Sequence, residues 1–148
     1  MKPLTRKSIR ILPLLFVCLL LTQAFMCPGT PYHKLVTAEH NFKGVVATFQ
    51  DVEIAEFQSG GVEPQLHLKI QGGILQVANG GKDLAELIQA NATPQTIRQK
   101  LDSIYALLDN LLNDGVLHVT NPKSKASLEL ALDSVKAIVD NVATALGQ

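Results

Sequence analysis

The stretch Thr93-Pro94-Gln95-Thr96-Ile97-Arg98-Gln99-Lys100-Leu101-Asp102-Ser103-Ile104-Tyr105-Ala106-Leu107-Leu108-Asp109-Asn110-Leu111-Leu112 decides the fold class. Ile97, Leu101, Ile104, Leu108 and Leu111 follow one another at steps of four, three, four and three, which places all five on one face of an α-helix. Thr93 suits an N-cap and Pro94 the first helical position, where a missing N–H removes nothing from the hydrogen-bond ladder. Tyr105 and Leu112 widen the stripe on one flank, as a packed bundle requires and a two-stranded coil does not.

Outward from this segment the same period recurs. Asn121-Pro122 repeats the start signal, and Leu128, Leu132, Val135, Val139, Val142 and Leu146 repeat the stripe, with Ala131, Ile138 and Ala145 alongside and Gly147 as the stop. Toward the N-terminus, Leu35, Ala38, Phe42, Val45, Val46, Phe49 and Val52 form another stripe, closed by Ser59-Gly60-Gly61. Between them Leu66, Ile70, Gly73, Val77, Gly81, Leu84 and Ile88 keep one phase from a start near Val62. Four glycines interrupt that segment at Gly72-Gly73 and Gly80-Gly81, each costing about 1 kcal/mol in a helix relative to alanine. Because the stripe never loses register across them, one long helix is expected. The competing reading takes the alternating Leu66-His67-Leu68-Lys69-Ile70 as a strand, with Val116-Leu117-His118-Val119 as a weaker partner.

The predicted helices run from Leu35 to Gln58, Val62 to Gln89, Pro94 to Val119 and Pro122 to Leu146. Similar lengths and short connections predict an all-α, up-down-up-down four-helix bundle occupying residues 35–148. Residues 28–34, with Pro28, Gly29 and Pro31, read as a short linker.

Residues 1–27 have a different character. Lys2, Arg6, Lys7 and Arg10 precede the apolar run Ile11 to Leu21, and Thr22-Gln23-Ala24 offers small residues at the spacing a signal peptidase reads. The run, broken by Pro13, falls short of the ~20 apolar residues of a usual spanning helix, so cleavage near Ala24 is favoured over retention as a signal anchor. Cys27, after Ala24-Phe25-Met26, gives a third reading, lipidation as in bacterial lipoproteins. The chain departs from that family's box at Met26, where a small residue is usual. All three readings export the C-terminal part, to the periplasm or the extracellular face of the cytoplasmic membrane.

Composition narrows what the exported part does. The 148 residues carry 13 basic and 13 acidic side chains; with four basic ones in the leader, residues 28–148 hold nine against 13, a net charge of −4. Nucleic acid, which needs a clustered basic footprint, is not an expected partner. Both cysteines, Cys18 and Cys27, lie in residues 1–27, which leaves the domain no disulfide, thiolate metal site or cysteine nucleophile. No His-Glu-x-x-His, Cys-x-x-Cys or Gly-x-Ser-x-Gly occurs. Gly80-Gly81-Lys82-Asp83 fails as a phosphate loop, with Asp83 where Ser or Thr should bind magnesium and Gln76 where the first glycine belongs. Asn91-Ala92-Thr93 matches a glycosylation acceptor, relevant only to a eukaryotic chain. No haem or other cofactor is expected, since both methionines lie in the leader and no paired cysteines exist.

One constellation carries candidate chemistry. Glu53 and Glu56 fall within the apolar stripe of the first helix, Glu39 on its edge and His40 away from it. An antiparallel bundle gathers Glu53, Glu56, His67 and His118 at one pole, a conceivable carboxylate–imidazole metal site. Polar residues at a wet bundle end more commonly cap the core, and the Glu-x-x-His pairs of di-iron bundles are missing, although Glu63 and His67 share a face. The expected function is therefore noncatalytic: a structural or interaction module of the cell envelope, associating with an envelope protein or itself and with the membrane through its N-terminal segment. The alternatives are a metal- or small-ligand-binding bundle and a membrane-tethered oligomer or lipoprotein.

Overall fold

The computed structural model describes residues 31–146, without the side chains of residues 31–35 and 39. The leader, Cys27 and Gly147 lie outside the described residues, as do the side chains of Tyr32, Leu35 and Glu39. The fold is an all-α bundle of four helices: α1 (Pro31–Gln58), α2 (Pro64–Gln89), α3 (Pro94–Asp114) and α4 (Pro122–Ala145), with a 3₁₀ turn at Val116–His118 before α4. No strand occurs among the described residues, so Leu66–Ile70 is helical and its alternation reflects a helix border instead of a pleat. None of these helices is long and apolar enough to cross a membrane.

Three helix starts share one device. Proline occupies the first position of α2, α3 and α4, and α1 also opens on proline, so it begins at Pro31 inside the segment expected as linker. Thr93 Oγ1 accepts from Thr96 N–H at 3.2 Å, and Asn121 Oδ1 accepts from the N–H groups of Lys123 and Ser124 at 3.0 and 3.3 Å. Glu63 precedes α2 without a side-chain cap bond. At the other end of α1, Gly60 takes φ +78°, the left-handed conformation that lets Gly61 N–H reach Glu56 C=O at 2.9 Å and close the last turn.

The predicted stripes form the core. Phe42, Phe49, Ile70, Leu84, Ile97, Leu101, Ile104, Leu108, Leu128, Leu132, Val135 and Val139 are all buried in one contiguous cluster. α2 runs unbroken through both glycine pairs. Their packing explains why. A Cβ on Gly81 would lie 2.0 Å from Phe42 Cε1, and one on Gly73 would lie 2.7 Å from Leu111 Cδ1. The absent side chains let α1 and α3 approach α2 closely, and burial there offsets the poor helix propensity of glycine. We expect Gly81→Ala to destabilise the fold by about 1–3 kcal/mol, because a buried aromatic ring has to move. Gly44→Ala, in a helix interior with open space around it, should stabilise by about 0.5–1 kcal/mol. Chemical denaturation of the two variants would show the opposite signs; two stabilised proteins would contradict the tight Phe42–Gly81 contact.

Each helix packs against its neighbours in a closed ring of contacts, α1 with α2 and α4, and α3 with α2 and α4. Contacts between α1 and α2 pair Phe42 with Gly81, Gln50 with Gln71 and Glu53 with His67, one number rising as the other falls. The same opposition holds between α2 and α3 (Gly73 with Leu111, Gly80 with Ile104, Asp83 with Lys100) and between α3 and α4 (Tyr105 with Asp140, Asp109 with Lys136).

The expected third helix is corrected at its end. It stops at Asp114, not Val119, and the chain turns through Gly115 into the 3₁₀ segment. A Cβ on Gly115 would meet Leu111 C=O at 2.8 Å and Ile70 Cγ1 at 2.9 Å, so only glycine fits where the chain leaves the helix. Val116 and Val119 remain buried, which keeps the apolar pattern that resembles one more helical turn.

On the α3–α4 face Tyr105 donates its hydroxyl to Asp140. Partial burial, that bond and the negative charges of Asp140 and Asp102 all raise the Tyr105 phenol well above its ordinary value. The unfolded chain therefore releases this proton first. The tyrosine's contribution to stability is complete below about pH 10 and declines as pH rises beyond it. Denaturation at about pH 9 and about pH 11 should show a steeper alkaline loss for the parent than for Tyr105→Phe; equal slopes would rule this out.

Candidate functional site

The α1–α2 turn and the start of α4 meet at one pole of the bundle, and the polar side chains there divide into two clusters. The first is built on Glu53. It sits in the last two turns of α1, in phase with Phe49 and Val46, and its side chain is completely buried. A carboxylate in that position must find donors, since burying it unpaired costs several kcal/mol. His67, one turn into α2, donates from Nδ1 to Oε1 at 2.8 Å, with Oε2 at 3.0 Å. Gln71, one turn further on the same face, donates from Nε2 to Oε2. Gln71 Oε1 in turn accepts from Gln50 Nε2 of α1 at 3.2 Å, so a chain of polar bonds crosses the α1–α2 seam three times.

The imidazole is fixed from a second direction. The Phe57 ring stacks on it, with centroids 3.9 Å apart and planes 9° from parallel. With Nδ1 donating to Glu53, Nε2 is the ring nitrogen left over, and its side chain is 20% exposed. This is the arrangement in which a carboxylate sets the tautomer of a histidine whose other nitrogen can take a proton or a metal.

The second cluster joins α1 to α4. Ser124 Oγ donates to Glu56 Oε2 at 2.7 Å, and the serine is buried. Gly61 makes this contact possible, because a Cβ there would lie 2.0 Å from Ser124 Oγ. Glu56 thus turns toward α4 while Glu53 turns toward α2. His118 is exposed at the end of the 3₁₀ turn, which Lys125 Nζ ties to α4 by donating to Leu117 C=O at 3.2 Å. Of the four residues expected at a shared site, only Glu53 and His67 touch. Among the described residues no three His, Cys, Asp or Glu side chains gather as a metal site.

Four members of the clusters, Gln50, Phe57, Gln71 and Ser124, escape the sequence reading. Gln71 carried a usable signal, standing four residues after His67 on the same helical face and interrupting an apolar border. Ser124 carried a weaker one, since at three residues beyond Asn121 it reads as part of the helix start and nothing local announces its partner across 68 residues of sequence.

A shallow groove of about 330 Å³ opens beside the first cluster, between α1 and α2, lined by Val46, Gln50, Gln71, Ile74, Leu75 and Ala78 among others. It is apolar along its length, with the Gln50–Gln71 amide pair at its polar end. Comparison of the chain with family models, with curated proteins and with solved structures finds no match.

Proposed function

We propose that this chain is an exported, noncatalytic up-down-up-down four-helix bundle of the cell envelope, working as a structural or interaction module. Export rests on the leader: four basic residues, the Ile11–Leu21 apolar run and Thr22-Gln23-Ala24 in that order. The opposed numbering of contacts across successive helix pairs supports the up-down topology. The observation that carries the noncatalytic reading is the fate of the buried carboxylate. Both oxygens of Glu53 accept bonds from within the fold, so the group best placed for acid–base work is engaged in joining α1 to α2.

Intact mass and fractionation of the full chain expressed with its own leader test the export reading. The expected product lacks residues 1–24 and leaves the cytoplasm. Retention of the full mass in the membrane fraction identifies a signal anchor, and a mass increase at Cys27 with loss of the preceding residues identifies a lipoprotein. A full-length protein confined to the cytoplasm overturns export.

The tautomer-setting contact of Glu53 on His67 favours one second reading, a metal held at His67 Nε2 with Glu53 behind it. Under that reading Glu56 and His118 would have to leave their present positions to complete the ligand set. Stoichiometric zinc should raise the melting temperature and lose that effect in His67→Phe. An unchanged melt in the parent removes the metal reading.

A further inference from the structure

The outer face of α2 differs from those of α3 and α4. Between Pro64 and Gly81, eighteen residues, the only Lys, Arg, Asp or Glu is Lys69, whereas α3 and α4 carry charges throughout. Leu68, Gly72, Leu75 and Asn79 stand at steps of four, three and four, so they form one stripe about 16 Å long. Leu68 is 71% exposed and Leu75 62%, the two largest exposures among the big apolar side chains described. Gly72 lies between them, exposed, with nothing within 4 Å of where a Cβ would be. The groove of Val46, Ile74 and Ala78 runs alongside.

We infer that this face binds a second copy of the same chain, through a two-fold contact that seats Leu75 of each protomer over Gly72 of its partner. Knob and notch lie on one helix three residues apart, as a two-fold contact requires, because the same patch must serve both sides. Charge points to the same occupant. A surface of one sign would repel its own copy, whereas this one is nearly free of charge, and charge depletion marks the core of an interface. Gln76 and Asn79 on its margin each carry a donor and an acceptor, so they can bond to their own kind. One helix face and a shallow groove make a small interface, which fits a reversible dimer instead of an obligate one.

The experiment is sedimentation equilibrium, in detergent-free buffer across the micromolar range, of the protein recovered after expression of the full chain with its own leader, with Leu75→Glu and Gly72→Leu beside the parent. The parent should show a monomer–dimer equilibrium. Each variant should dissociate at least about tenfold more readily, one by losing the knob and the other by filling the notch. Both positions are exposed, so helical content and melting should persist, and Leu130→Glu, exposed on α4, should leave the dimer intact. A monomeric parent overturns the inference. So does a dimer that survives both α2 substitutions, which would place the contact elsewhere, such as the Ile11–Leu21 run. Export and dimerisation fail separately: fractionation tests the first and association state the second.

Discussion

Leu108→Asp should leave no folded protein. Leu108 is fully buried in the middle of α3, flanked along its stripe by Ile104 and Leu111, and no basic side chain belongs to the cluster around it. The substitution removes a leucine from the core, worth about 2–5 kcal/mol at buried sites, and adds an unpaired carboxylate whose burial costs several more. A domain of this size has about 5–15 kcal/mol in total. The residue cannot escape by rotating outward, since the helix fixes its direction and α2 and α4 occupy both sides of α3. Ala106→Asp is the matched control: the same helix and the same new charge on an exposed position, with a cost near the propensity difference of about 0.7 kcal/mol. Circular dichroism and proteolysis should therefore show an unfolded, rapidly cut chain for Leu108→Asp and a native-like one for Ala106→Asp. A cooperative melt for Leu108→Asp close to that of the parent would mean that α3 is not an interior helix.

Helical periodicity encodes burial directly. Ile97, Leu101, Ile104, Leu108 and Leu111 are apolar at helical spacing for one reason, and all five are buried. The same logic fails where the chain leaves the helix but stays in the core. Val116 and Val119 look like a continuation of the α3 stripe because both are buried, yet they reach the core from a 3₁₀ turn. The determinant is Gly115, whose lack of a Cβ matters only because Ile70 of another helix presses against it. A contact with a residue 45 positions away leaves no periodic trace. His118 follows the same pattern: a third helix running to Val119 would put it on an α-helical turn, and the chain instead presents it from the 3₁₀ segment.

The candidate site was legible to a similar depth. The angular position of Glu53 within an apolar stripe marks it as anomalous from sequence alone, and the packing of α1 on α2 brings His67 against it. Glu56, only three residues on, shares that anomaly but not that partner, because helical rotation and the close approach permitted by Gly61 aim it at Ser124. Periodicity says which residues face inward. It does not say which neighbouring helix each one meets, and here Glu53 meets α2 while Glu56 meets α4.

Substitutions at Glu53 separate those two meanings. Glu53→Ala opens a cavity at a completely buried position and strips the acceptor from His67 Nδ1 and Gln71 Nε2, so it should cost about 3 kcal/mol. Glu53→Leu keeps most of the volume and removes the charge. Its neighbours then lose their acceptor too, but both are only partly buried, His67 with 20% of its side chain exposed, and each can turn to water. Removing one partner of a buried pair is costly when the other is left buried and unpaired; with both neighbours able to reach water that penalty is small, so Glu53→Leu should cost about 1–2 kcal/mol, less than Glu53→Ala. Glu53→Gln falls between, because its amide keeps one acceptor oxygen while turning donors toward donors. The order Ala, Gln, Leu from most to least damaging identifies Glu53 as a space-filling clamp whose polar bonds set the α1–α2 register more than they stabilise it. If Leu proved as damaging as Ala, the bonds to His67 and Gln71 would themselves be the source of stability, and the pole of the bundle would depend on its polar network more than on its packing.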